Sequence, residues 1–250
     1  MKSYKWSILT VVLLIALAAI AAWIDSAVIT GTPKAPSLHM QWVCTVAILL
    51  LLCILAGYAV NGRIDGILID DRNRVSLSRL QWVAWFVVLL SAFFVGGVLN
   101  VAGGWASPFP TMQSDLFTLI GLATGSAVVS NLVVDTKKNN QAIANVQPQL
   151  NIAGNKGGMD INAQPSEASW QDLYCGEEVA NRGTVDVGRL QQLVTTALLV
   201  YTYVGFVWRD LADASFTGHL PAMPAVDSGF LGLLAASHAG YLAYKATPKT

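Results

Sequence analysis

The stretch SLSRLQ at residues 76–81 is answered by DVGRLQ at residues 186–191, and each stands directly before a long apolar run. Arg79 and Arg189 are 110 positions apart. Further along, Pro110-Thr-Met112 matches Pro221-Ala-Met223 and Gly121-Leu122 matches Gly232-Leu233, now at an offset of 111. Ser126 then matches Ser237, Thr136 matches Thr247 and Lys138 matches Lys249 in the same register. Agreement at both ends of two apolar runs reads as a duplicated helical hairpin. Both copies enter from one side, so the repeat is parallel, related by an axis near the membrane normal. The first two apolar runs hold no third copy.

The composition is 54% hydrophobic and 12% charged, against about a quarter charged in soluble domains. Six runs, at 6–23, 42–60, 80–99, 116–134, 190–208 and 228–244, approach the roughly 17–25 residues that cross a bilayer. Lys2 and Lys5 ahead of the first run resemble a signal peptide, but the run is long for a signal core and a retained helix is expected. The expected fold is an all-α membrane protein with six transmembrane helices, spans 3–4 and 5–6 forming the repeat, and a small mixed α/β cytoplasmic segment. Its parts are an N-terminal transmembrane hairpin (1–61), a cytoplasmic linker with a β-hairpin (62–79), repeat 1 (80–134), the cytoplasmic segment (135–187) and repeat 2 (188–250).

Charge asymmetry orients these spans. With the N-terminus in the cytoplasm, 13 of the 15 lysines and arginines fall inside and only Lys34 and Arg209 outside. Both termini are therefore expected in the cytoplasm, and the location in a bacterial plasma membrane. Net charge is zero, which removes the basic footprint of a nucleic-acid binder. The three cysteines have no metal or disulfide spacing. No CxxC, HExxH, P-loop or GxSxG is present, so no catalytic residue, metal or cofactor is expected.

The duplicated entrance has a mechanism. Ser76 and Asp186 are N-cap residues at equivalent places. Arg79 and Arg189 follow in the first turn, where the helix dipole disfavours a cation, so another interaction must hold them. Anionic phospholipid is the first expectation and a functional ligand the second. Gln81 and Gln191 are expected to hydrogen-bond between helices.

IDDRNRVSLSRLQ (69–81), WQDLYCGEEVAN (170–181), DVGRLQ (186–191) and SHAGYLAYK (237–245) resemble motifs of a widespread group of uncharacterised bacterial multi-pass inner-membrane proteins. The resemblance runs from residue 62 onward. It implies a bacterial plasma-membrane location and no reaction, since that group has no established activity.

No Asp, Glu, Lys or Arg lies within the spans, which argues against an ion-coupled pump. His238 is the one ionisable intramembrane side chain, and its repeat counterpart is Ala127. A core histidine bonded to a neighbouring helix is expected ahead of a titrating site. Gly121, Gly125 and Ser126, with Gly232, Ser237 and Gly240, form small faces for close helix packing, inside one subunit or between subunits. Asp210, Asp213, His219 and Asp227 of the last outer loop match no metal site. In the cytoplasmic segment, 150–153 and 159–163 alternate around Gly154-Asn-Lys-Gly-Gly158, a hairpin signature. Leu150, Ile152, Met159 and Ile161 would give it an apolar strip for contact between subunits. Ser166 is expected to cap a short helix bearing Trp170, Leu173 and Tyr174 and ended by Gly176. Glu177 and Glu178 are read as solvated or arginine-paired rather than as an acid/base pair.

These readings converge on a non-enzymatic homo-oligomer with a pore-like or scaffolding role, binding anionic lipid and a cytoplasmic protein partner and no nucleic acid. The alternative is a small-solute transporter built on the parallel repeat. An enzyme ranks third.

Overall fold

The computed structural model describes residues 11–12, 15–23, 35–139 and 158–247. Five long helices organise them: α1 (Ala35–Asn61), α2 (Leu77–Ala102), α3 (Ser114–Asn139), α4 (Val187–Thr217) and α5 (Ser228–Ala246). Residues 15–23 are helical as well. The first four long helices each carry a stretch long and apolar enough to cross a membrane. This is a membrane protein. Large apolar side chains such as Leu50, Leu51, Val129 and Tyr201 stay exposed on them, as they do where lipid rather than water is the solvent. α5, at the place of the sixth run, is 19 residues long and falls outside that set of four. It turns polar residues inward: Ser237, His238, Tyr241 and Lys245 are all buried.

The chain divides into two compact units. One comprises residues 1–53, 86–116 and 200–225. In it the Trp42 indole donates to Ser91 Oγ at 2.8 Å, and His39 stacks on Trp208 at 3.9 Å. Asn100 brackets Leu220, donating to its carbonyl and accepting from its N–H, both at 2.8 Å. Thr111 forms a parallel bridge with Ala222. Gly96 is required there, since a Cβ would collide with Leu220 and Pro110.

The other unit comprises residues 54–85, 117–199 and 226–250. Gly57 of α1 meets Gly66 of the short 3-10 turn Gly66–Leu68 backbone to backbone, and a Cβ on either glycine would overlap the other's main chain. The two expected caps are present. Arg79 N–H donates to Ser76 Oγ at 3.5 Å and Arg189 N–H to Asp186 Oδ1 at 3.0 Å. Asp227 caps α5 through Phe230 N–H at 2.7 Å.

Several expectations for the polar segments need correction. No strand forms among the described residues, which are all-helical; the pairings Ile69–Val75, Met159–Glu178 and Cys175–Val185 are isolated antiparallel bridges. A single pairing is what a short polar segment reaches when side chains, not a ladder, satisfy its backbone. Leu150 and Ile152 lie outside the described residues. Met159 is buried in its own chain, bridged to Glu178, so it is not free to line an intersubunit strip. Ile161 is half-buried. The short helix is a 3-10 turn, Trp170–Leu173, capped by Ser169 rather than Ser166. Ser169 wins because Asp172 returns the bond to its N–H, completing a capping box.

Candidate functional site: a carboxylate held by three cations

The IDDRNR stretch makes a tight turn. Asp70 Oδ1 accepts from the N–H groups of Arg72 at 2.9 Å and Arg74 at 3.3 Å. Asn73 takes the left-handed region that the turn needs (φ 56°), which asparagine tolerates better than most residues. The turn aims two arginines inward, and both are almost fully buried. Arg74 spans Asp160 and Asp172, each at 2.9 Å. Arg72 spans Asp70 at 2.6 Å and Glu177 at 2.8 Å.

Glu177 is the centre. Besides Arg72 it meets the Arg189 guanidinium and Lys245 Nζ, the latter at 2.8 Å. One carboxylate thus joins the loop before α2, the first turn of α4 and the last turn of α5. The backbone presenting it is held by Asp160 N–H on the Glu177 carbonyl at 3.0 Å and Gly176 N–H on Thr184 O at 3.1 Å. Only glycine fits at 176, because a Cβ there would run into Asn181. The Asn181 amide oxygen accepts from Glu178 N–H at 3.1 Å.

Lys245 is fully engaged. It also donates to Ser130 Oγ of α3 at 2.6 Å and lies 3.2 Å from the Tyr241 hydroxyl. Arg189 donates to the carbonyls of Asp172 and Leu173. Two further pairs ring the centre, Lys137 with Glu178 at 2.6 Å and Lys138 with Asp71.

Burial alone would push the Glu177 carboxyl up. Arg189, Arg72 and Lys245 outweigh that and hold it well below the usual carboxylate range. Burial likewise works against the Arg72 charge, and Glu177 and Asp70 reverse it, raising that guanidinium above its ordinary value. Ionised partners this close offset the cost of burying charge. A cavity of about 20 Å³ sits beside them, lined by Met159, Asp186, Tyr241 and Tyr244 among others; that is room for about one water.

The residues singled out in the sequence are divided by the structure. Arg189 is turned into the protein toward Glu177 and is 2% exposed, so no lipid headgroup reaches it here. Arg79 is exposed. It donates to Ile69 O at 2.6 Å and lines a polar recess of about 210 Å³ with Asp71, Asn131 and Asp135. Gly121, Gly125, Gly232 and Gly240 have no neighbour within 4 Å of a built Cβ, whereas Ser126 and Ser237 are buried. Gln81 donates to Thr196 Oγ1 at 2.7 Å, but Gln191 is exposed and Gln192 takes the interhelical contact, with Ser237. His238 is buried without a hydrogen-bond partner.

Arg72, Glu177 and Lys245 escaped the sequence reading as a group. The signal was available: each lies in one of the quoted motifs. Among the described residues no cluster of three His, Cys, Asp or Glu is placed to hold a metal. No protein-family model matches the chain, and neither the curated proteins nor the solved structures compared with it give a match.

Proposed function

We propose that the protein is a six-span homo-oligomer of the bacterial plasma membrane, non-enzymatic, that serves as a rigid scaffold or pore-like assembly with both termini in the cytoplasm. The carrying observation is the Glu177 centre. Arg72, Arg189 and Lys245 fasten the polar segment to helix ends instead of leaving it on a flexible tether. A general base working near neutrality needs a carboxyl pushed up toward that range, and Glu177 is driven the opposite way. Its chemistry is that of a clamp.

Oligomer formation is supported by the open glycine faces. Gly121 and Gly125 on α3, and Gly232 and Gly240 on α5, are exposed, and a Cβ at any of them would meet no atom of the described residues within 4 Å. Small residues of this kind let helices of two subunits approach closely. Arg79, exposed on the first turn of α2, is the residue we assign to anionic lipid headgroups. A cytoplasmic protein partner would meet the fastened 158–185 segment.

The second reading is a small-solute transporter around a parallel repeat. It is favoured by Thr111 and Ala222, equivalent in the two copies and bridged to each other. The test is purified protein in planar bilayers and proteoliposomes, with its mass measured in parallel. An oligomer with no conductance and no uptake is the scaffold. Ohmic conductance makes it a pore, and saturable uptake without conductance makes it the transporter. A monomer showing none of these defeats the proposal.

A further inference from the structure

Between α3, α4 and α5 lies a set of polar groups that the protein does not satisfy. His238 Nδ1 and Nε2, Gln192 Nε2 and Ser126 Oγ are all buried and find no hydrogen-bond partner among the described residues. Exposure is 3% for His238, 0% for Gln192 and 3% for Ser126. Register brings them together. Ser237 Oγ donates to Gln192 Oε1, which sets Gln192 against the turn of α5 carrying His238. Lys245 leans back along α5 to reach Tyr241 OH and Ser130 Oγ, so Ser130 is level with the turn above Lys245. Ser126 is one turn further from Ser130, about 6 Å along α3, which brings it level with Ser237 and His238.

Buried polar groups in proteins find partners in more than nine cases of ten. Inside a membrane no bulk water relieves such an orphan. Four in one layer therefore call for something that bonds to them. A neighbouring subunit is excluded, since these side chains are enclosed by their own chain. An ion is a poor match: no carboxylate faces the layer, and the nearest charged centre is Glu177 with its cations two turns away along α5. The set mixes donors, the Gln192 amide and one ring N–H, with an acceptor, the other ring nitrogen, and a hydroxyl that does both. Water has that same dual character.

We propose that His238, Gln192 and Ser126 form an internal water-binding site within the apolar part of the bundle. Tyr241, one turn toward the Glu177 centre and lining its one-water cavity, links the site to the polar face. The bundle thus has a hydrated interior on one side, reaching about two turns up α5 from Lys245. This rests on the six-span reading only in placing α5 within the membrane; the orphaned groups are there in either case.

Radiolytic hydroxyl labelling tests it, because radicals formed from bound water modify buried side chains beside that water. Full-length protein in lipid nanodiscs is irradiated and analysed by mass spectrometry, with Tyr203 as the reference, since it is fully buried in the other unit. His238 and Tyr241 should be labelled several-fold faster than Tyr203. The variant H238L should lower the Tyr241 rate to the part supplied by the cavity beside Glu177, while H238Q, which can still bond water, should keep it at the unmodified rate. Equal labelling of Tyr203, Tyr241 and His238 in the unmodified protein overturns the site. So does a Tyr241 rate in a folded H238L that matches the unmodified protein.

Discussion

Thr111 and Ala222 lie side by side in a parallel bridge, 111 positions apart, the offset at which Pro110-Thr-Met112 answers Pro221-Ala-Met223 in the sequence. Thr111 N–H donates to Pro221 O at 2.9 Å and Met223 N–H to Thr111 O at 3.0 Å. The segment before α3 and the segment before α5 therefore complete each other's backbone bonding. T111P deletes the donor and leaves the Pro221 carbonyl unmatched. A loss of about 1–3 kcal/mol is expected, read as lower thermal stability in nanodiscs. T111S keeps the backbone bond and should be near neutral; a T111P protein as stable as T111S would mean the bridge contributes nothing.

E177Q removes the charge that Arg72, Arg189 and Lys245 share. Breaking a buried pair on one side costs about 3–5 kcal/mol, because the remaining charges stay buried. E178Q removes the carboxylate that pairs with Lys137 outside this three-cation set and should cost less. Thermal unfolding of the two variants in the same lipid gives the comparison. Equal shifts would show that the three cations do not act through Glu177.

The acid response follows from the direction of the Glu177 shift. Its folded pKa lies below the unfolded value of about 4.3. The stability it confers is therefore fully present above that unfolded value and is lost as pH falls through the folded one. Asp65, held down by its bond to Arg63, follows the same sign. Unfolding temperature should be flat from neutrality to about pH 5 and fall steeply only below about pH 4. A fall centred near pH 6 would assign the response to another group.

Glycines separate packing within the chain from packing between chains. G57A and G66A force a Cβ into backbone, and overpacking of that kind costs about 1–3 kcal/mol or more. Gly121 and Gly125 are exposed and a Cβ there meets none of the described residues, so in G121L and G125L the fold should survive while the particle mass in detergent falls. An unchanged oligomer in the double variant would remove that face from the interface.

Reporter fusions after Asn61, Asn139 and Thr250 should all read cytoplasm, given the charge bias. A periplasmic signal after Asn139 would overturn the span assignment.

The helices were legible because lipid imposes a length and an apolar composition that survive in any context. The caps Ser76 and Asp186 were legible for the same reason: they act on their own first turn. Glu177 was not. Its partners lie 105 positions before it, 12 after it and 68 after it, and no local pattern encodes such distances. Arg189 was read from its depth alone, which suggests lipid; the carboxylate that claims it enters only once the segment folds back. His238 was expected to find a neighbouring helix because most buried histidines do. The alternating 150–163 stretch promised a hairpin, but the pairing of Met159 with Glu178 shows its second half committed elsewhere.

The span of those separations also sets an order in time. Arg72 leaves the ribosome long before Glu177, and Lys245 long after it. During synthesis the carboxylate waits with an incomplete set of cations until α5 is threaded into place. A nascent chain stopped short of α5 would hold the polar segment loosely and offer its 158–185 stretch to proteases. Closure of the last ion pair, at Lys245, thus marks the moment at which α5 docks on the polar segment.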